Sequence, residues 1–552
     1  MKHEWWKEGV IYQIYTRSFN DSNGDGIGDL QGIIDKADYL ARLGVDAVWL
    51  SPVFASPNDD NGYDISDYYS IMDDFGTLSD MERLIQTMHS LNIYVILDLV
   101  VNHTSDEHEW FIQSRSSKES PYRDYYIWRP GKDGKKPNNW GSIFSGSAWE
   151  YDDTTGEYYL HLFSKKQPDL NWKNARMRSE IIDMINWWID RGVDGFRVDA
   201  VNLIGKPEGL PDADGEINGT PCAYPGKMVY NHPDVHMWAR EIHDATWGRN
   251  GLLAIGECSN TGLEEIIRYS APSRREFSMV IPFGHIALEE EGGNGMFQRH
   301  SFDLVRFKSI LSKWQTGLHG RGHMALYLSN HDWPRALSRI GNDGVYRVPS
   351  AKLLFMLLAS LEGTPFIYQG EEIGMTDCKY DDIDKYRDVA TLNLYNTRIQ
   401  SGSTKREVMD VIRHTSRDNA RTPMQWSADV NAGFSEVNPW MDVNPNYTDI
   451  NSETDQKRPD SIFRFYQSMI AYRKTHTDLV HGSYTLLEAD HPALFAFRRN
   501  GIGEFLVVLN FSDDTVQLPK SCICTGPVDL STYMDEGDPH TLRPWEGRIC
   551  MR

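Results

Sequence analysis

Long apolar runs are missing from this 552-residue chain. Nothing approaches the roughly 18 uninterrupted apolar residues of a membrane-spanning helix, and the opening MKHEWWKEGV has no apolar leader core. Cysteine is scarce, with six in all. Cys222, Cys258, Cys378, Cys522, Cys524 and Cys550 show no framework spacing, and the single residue between Cys522 and Cys524 is not the CxxC of a zinc or redox site. These two absences point to reduced thiols and a cytoplasmic protein. Positive charge is also short: 56 Lys and Arg stand against 79 Asp and Glu, a net charge of −23. Such a balance repels phosphate backbones and anionic lipid, which argues against nucleic acid or membrane partners and for a small neutral one. Internal repeats and low-complexity tracts are absent as well.

What the chain does have is aromatic surface and a rhythm. Apolar residues make up 40%, ample for a large core, and aromatics 12%. Aromatic faces pack cores but also stack on the C–H faces of sugars. Strand-like runs at 10–16, 47–52 and 94–100 alternate with helical patterns, one stopped by Gly44 and one opened by a capping-box pattern at Ser79 and Glu82. The alternation pauses over residues 104–171, which are polar and rich in Gly, Ser, Trp and Tyr and too long for an ordinary loop. It resumes with a helix at 175–192 and strands at 195–201, 252–258, 276–283, 324–331 and 364–370. Eight strands with intervening helices predict an α/β fold: a (β/α)8 TIM barrel over 1–103 and 172–479, a small domain (104–171) inserted after strand 3, and an all-β C-terminal domain (480–552). Residues 371–455 are charged and turn-rich and read as a long excursion over the barrel mouth. A last helix is expected at 461–474.

Three strand-like runs break off just after an acid: Asp199 in GFRVDAV, Glu257 in LLAIGEC and Asp332 in MALYLSNHD. A carboxylate at the end of a buried parallel strand carries a desolvation cost, so three of them point to a site assembled at the barrel top. Breaking a glycosidic bond needs an acid on the leaving oxygen and a nucleophile across the anomeric carbon; carboxyls about 5 Å apart give retention. Asp199 suits the nucleophile, because Arg197, two residues earlier on the same strand face, would keep it ionised. Glu257 follows an apolar run that raises a carboxyl pKa, which suits the proton donor. In the loop DSNGDGIGD (21–29), oxygens of Asp21, Asn23, Asp25, the Ile27 carbonyl and Asp29 alternate as in an EF-hand loop, with Gly26 at the turn but Gly32 in place of the closing Glu.

DLVVNH (98–103), QPDLNW (167–172), GFRVDAV, GECSN (256–260) and YLSNHD (327–332) resemble the ordered regions of the α-amylase superfamily, glycoside hydrolase family 13. The opening VIYQIYTRSFNDSNGDGIGDLQGI, NGYDISDYY (61–69) and SRDNARTPMQW (416–426) are similar to its oligo-1,6-glucosidase and α-glucosidase branch. The resemblance covers essentially the whole chain. It implies a structural Ca²⁺ in the 21–29 loop and none for catalysis. It implies that Asp332 binds the 2- and 3-hydroxyls, and that His103 and His331 are neutral donors to bound glucose. Asp60, adjacent to Asp59, would hold the 3- and 4-hydroxyls with Arg417, for which Arg421 is a possible substitute; this closes the pocket to exo attack. Tyr63 would stack under the ring, and Phe144 and Phe163 either wall the pocket or simply pack.

In that branch the residue after the nucleophile is Val where α-1,6 links are preferred and Thr where α-1,4 are. Here it is Ala200. The expectation is an exo-acting retaining α-glucosidase that takes maltose, isomaltose and malto-oligosaccharides, favouring α-1,4 and tolerating α-1,6. The alternatives are an oligo-1,6-glucosidase (isomaltase), an endo-acting amylase and a sucrose-acting transferase or isomerase. The last is disfavoured because 285–305 lacks the arginine-rich segment of sucrose isomerases. The non-catalytic transporter heavy chains of similar fold have a membrane span and have lost the carboxylates that this chain keeps.

Overall fold

The computed structural model describes residues 4–214, 222–288 and 302–551. Eight strands form one parallel sheet: β1 (Ile11–Ile14), β2 (Ala47–Leu50), β3 (Tyr94–Val100), β4 (Gly195–Asp199), β5 (Leu253–Cys258), β6 (Met279–Pro282), β7 (Ala325–Leu326) and β8 (Thr364–Tyr368). Their order is β6-β5-β4-β3-β2-β1-β8-β7, and a parallel bridge between Val280 and Met324 joins the two ends into a ring. β1, β2, β4, β5, β6 and β8 are buried along their whole length. A strand covered by helices outside and by packed side chains inside has no face for water, which is why these segments read as continuous apolar runs. Side chains such as Ile11, Trp49, Ile96, Ile255, Met279 and Phe366 form a separate inner cluster. Their strand neighbours Tyr12, Val48, Leu97 and Val280 join the main core instead.

Several local expectations are corrected. The second barrel helix, Leu78–Ser90, is capped by a reciprocal Thr77–Asp80 box, not by Ser79 and Glu82. The run LQGIIDKADYLARLG makes two short helices, Leu30–Asp35 and Ala37–Leu43, and Gly44 ends the second at φ 91°. β7 pairs over only two residues. Beyond it Asn330 Oδ1 accepts from Asp332 N at 2.9 Å and Asn330 bridges Trp333, so Asp332 sits in a side-chain-stabilised turn rather than at a strand end. The segment 371–455 is not merely irregular. It holds helices Val389–Gln400 and Lys405–Thr415, the latter with a Thr404–Glu407 capping box, over a small core that includes Tyr386, Leu394, Val408 and Ile412.

Residues 104–171 contain a three-stranded antiparallel sheet built from Trp128–Arg129, Glu157–Leu160 and Trp149–Asp152. The C-terminal region pairs β9 (Ser483–Leu487), β10 (Leu494–Asn500), β11 (Glu504–Asn510), β12 (Leu530–Ser531) and β13 (Gly547–Met551) in the order β9-β10-β11-β13-β12. Period-two alternation sends Phe495, Phe497, Val507 and Leu509 into the main core and Leu494, Ala496, Leu506 and Val508 into a separate cluster on the other face. β13 also brings Cys550 to Cys524, Cα to Cα 6.0 Å, and the two are disulfide-bonded. The expectation of reduced thiols therefore holds only for Cys222, Cys258, Cys378 and Cys522, and the thiol argument for a cytoplasmic location falls away. Among the described residues no helix is long and apolar enough to cross a membrane.

Candidate active site

β3 and β4 pair with Asp98 beside Arg197, and β4 turns both Arg197 and Asp199 to the barrel interior. The buried Arg197 guanidinium then holds three carboxylates from three strands. Nη1 is 2.8 Å from Asp98 Oδ1 and 2.7 Å from Asp199 Oδ1, and Nη2 is 2.6 Å from Glu257 Oε1. Asp199 and Glu257 thus converge on the two terminal nitrogens of one guanidinium. Glu257 Oε2 also accepts from Ala200 N at 2.8 Å. Ala200 makes that contact from the left-handed region, φ 43°, where a non-glycine residue is held only by its surroundings.

Burial sets the acidities. It pushes Glu257 up to about 8 and Asp199 up to about 7, while Arg197 opposes both. Both carboxyls are thus raised by burial, and they take up protons as one coupled pair. Burial also works against ionising Asp332, but the charges around it, His331 while protonated and the permanent cations Arg417 and Arg421, outweigh it and hold that carboxyl well below the usual range. Burial lowers His331 to about 3 and His103 to about 4, so both rings are neutral.

The second half of the site hangs on Arg417. Nη1 reaches Asp332 at 3.1 Å, Nη2 reaches Asp60 at 3.0 Å, and the guanidinium lies 5.0 Å from the Phe144 ring centre. Arg421 does not replace it but adds a second contact, 3.2 Å from Asp332. Tyr63 stacks on His331 with centroids 5.1 Å apart and donates to Asp98 Oδ2 at 2.9 Å. Gln13 Nε2 donates to His331 Nδ1 at 2.7 Å, which places the ring proton on Nε2, facing Asp332. His103 differs: its Nε2 is 3.0 Å from the Tyr63 carbonyl, so a proton there is already engaged.

Every catalytic and substrate residue expected from the sequence except Arg197 lines one cavity of about 160 Å³; Arg197 lies beneath its floor. Phe144 and Phe163 both line it, with rings 5.5 Å apart. Sequence reasoning passed over the wall formed by Tyr224, Tyr230, Asn260, Phe283 and Trp333. It also passed over Asp98 and Gln167, although both stand inside quoted motifs; Gln167 Nε2 donates to Asp60 Oδ2 at 3.2 Å. Lys206 was missed too. Its buried ammonium ties Asp169 (2.6 Å), the Leu203 carbonyl (2.7 Å) and Asn102 (2.9 Å), and so joins the inserted segment to the ends of β3 and β4.

The 21–29 loop curls on Gly24 and Gly26, both at positive φ. Asp21 accepts from the amides of Asn23, Gly24 and Gly26, Asp25 accepts from Ile27 N, and Asp29 caps helix Leu30–Asp35 through Gly32 N. Among the described residues no group of three or more His, Cys, Asp or Glu side chains is gathered as a metal cluster. A cation here would depend equally on Asn23 and the Ile27 carbonyl. The all-oxygen donor set fits a hard cation in kind.

A closed parallel barrel with a carboxyl pair above one buried arginine, at the foot of a small pocket, is the architecture of a hydrolase acting on glycosidic bonds. The chain belongs to the α-amylase family, whose catalytic domain matches residues 13–482. It is 51% identical to the oligo-1,6-glucosidase of Parageobacillus thermoglucosidasius, over all of this chain and 99% of that one. Among solved structures, isomaltulose synthase from Klebsiella sp. LX3 superposes with a TM-score of 0.95 at 40% identity over the whole of both chains. Trehalose-6-phosphate hydrolase from Bacillus licheniformis gives 0.93 at 42%, covering 99% of each.

Proposed function

We propose that this chain is an exo-acting, retaining α-glucosidase that releases glucose from the non-reducing end of short α-glucosides. The observation that carries the reading is the Arg197 guanidinium shared by Asp199 and Glu257 beneath a pocket bounded by Asp60 and Arg417. Glu257 gives its proton to the glycosidic oxygen as that oxygen leaves C1. Asp199 bonds to C1 from the opposite side and forms a β-glucosyl ester. Glu257, now ionised, takes a proton from water; the water oxygen bonds to C1, the ester bond breaks, and α-glucose departs. Asp332 and His331 bind the ring hydroxyls, His103 adds a donor only by sharing its Nε2 proton with the Tyr63 carbonyl, Tyr63 stacks beneath the ring, and Asp60 with Arg417 takes the far hydroxyls and admits only a chain end.

Ala200 supports α-1,4 cleavage with tolerance of α-1,6. The names of the relatives favour a second reading, an oligo-1,6-glucosidase. A phosphorylated sugar is disfavoured: among the described lining residues the one Lys or Arg is Arg417, and it is already shared among Asp60, Asp332 and Asp388. The segment 285–305, which bears on sucrose isomerisation, lies largely outside the described residues. Asp21, Asn23, Asp25, the Ile27 carbonyl and Asp29 would hold a structural Ca²⁺, which would stiffen the loop ahead of helix Leu30–Asp35. The test is a substrate panel of maltose, isomaltose, sucrose, trehalose and longer malto-oligosaccharides beside an Asp199→Asn control. Glucose as the first product, formed as the α-anomer by NMR, supports the reading; internal fragments or a β-anomer overturn it.

A further inference from the structure

Helix Val389–Gln400 belongs to none of the sequence motifs, yet it reaches the closed end of the pocket from behind. Asp388 is its N-cap, with Oδ2 accepting from Thr391 N at 3.0 Å and Thr391 Oγ1 at 2.6 Å. The same carboxylate grips Arg417 side-on, Oδ1 lying 2.9 Å from Nε and 2.5 Å from Nη2. Two residues beyond Thr391, Asn393 Nδ2 donates to the Phe144 carbonyl at 3.1 Å. Phe144 is the ring that Arg417 overlies. One short helical stretch therefore anchors both the cation and the aromatic wall of the pocket, although Asp388 is fully buried and outside the pocket lining.

A guanidinium is a rigid planar fork. Holding it by the Nε–Nη2 edge fixes the plane and leaves Nη1 aimed at Asp332. Without that grip, Asp60 and Asp332 would be free to draw the cation toward themselves and out of register with a sugar. We infer that Asp388 and Asn393 are positioning residues for the terminal glucose: Asp388 sets the orientation of Arg417, and Asn393 sets Phe144. This rests on the proposed contact of Arg417 with the 4-hydroxyl.

Asp388→Asn is a clean probe because Asn caps helices as well as Asp does. An amide, however, has one acceptor side and no charge: facing Arg417 it turns its NH2 on the Thr391 donors, and capping Thr391 it turns that NH2 on Arg417. The measurements are kcat and KM for 4-nitrophenyl α-glucoside and its 4-deoxy analogue, in wild type, Asp388→Asn, Asn393→Ala and Arg417→Ala. Wild type should favour the glucoside by roughly tenfold or more in kcat/KM, the scale of one charge-assisted hydrogen bond. Asp388→Asn should collapse that ratio toward the Arg417→Ala value and raise KM far more than it lowers kcat. A general scaffold defect would instead lower both substrates alike. Asn393→Ala, which removes one half-buried hydrogen bond, should raise KM several-fold at constant kcat, and it decides the matter alone should Asp388→Asn fold poorly. An unchanged ratio in Asp388→Asn with unchanged KM in Asn393→Ala overturns the inference. A wild type that hydrolyses the glucoside but ignores the 4-deoxy change overturns the Arg417 contact on which it rests, and a wild type inactive on α-glucosides overturns the proposed function itself.

Discussion

Replacing Glu257 with Gln separates the proton this residue carries from the space it fills. Burial raises the carboxyl from 4.5 to about 8, helped by the charge of Asp199 and resisted by Arg197. In the unfolded chain the group ionises near 4.5, so between that value and about 8 the folded state binds the extra proton. Stability therefore falls as pH rises through this window and levels off above it. At about 1.4 kcal/mol per pH unit the interval amounts to a few kcal/mol, and the Gln variant, which cannot titrate, should lose that part of the slope of Tm against pH. Turnover should divide by leaving group. Maltose needs a proton on its departing oxygen and should lose roughly 10²- to 10⁴-fold. α-Glucosyl fluoride needs none for the first step, and added azide, which needs no base, should restore the second. Equal losses on maltose and the fluoride, with the Tm slope unchanged, would refute the assignment of the proton to Glu257.

Other outcomes follow from single contacts. Ala200→Val should raise the isomaltose-to-maltose ratio of kcat/KM by roughly tenfold, the scale of one methyl-sized steric difference. Because a β-branched side chain is strained at φ 43°, Tm should fall as well, which is why the ratio is the measure. Chelation of calcium should lower Tm while leaving kcat nearly constant; an unchanged Tm would rule the 21–29 loop out as a metal site. Cys524→Ser opens a loop of 26 residues and should cost about 2–4 kcal/mol by denaturant unfolding with kcat unaffected. No stability change would mean the bond does not form in solution.

The barrel was legible because a buried parallel strand must be apolar on both faces, a pattern that survives without any tertiary information. The carboxyl pair was legible for the opposite reason: Asp199 and Glu257 stand where apolar runs should simply end. What escaped reading depends on long-range approach. Asp388 is one polar residue in a charged stretch until folding sets Arg417 beside it, 29 positions away in sequence. Cys524 and Cys550 look unrelated until β13 lies down against β11 and β12. The helices of 389–415 were hidden by their polar majority, since they cover only a small local core. The Thr77–Asp80 cap was missed by two residues because Ser79 and Glu82 satisfy the same pattern, and only backbone geometry separates the two.

Arg197 has a kinetic consequence beyond holding three acids. In the proposed mechanism, esterifying Asp199 would remove its charge, and with it the repulsion that helps keep the proton on Glu257. The full field of the guanidinium would then fall on Asp98 and Glu257, and the proton affinity of Glu257 would drop just when its proposed next task is to accept rather than donate. Each half of the proposed cycle would thus tune the acidity required by the other through one shared cation.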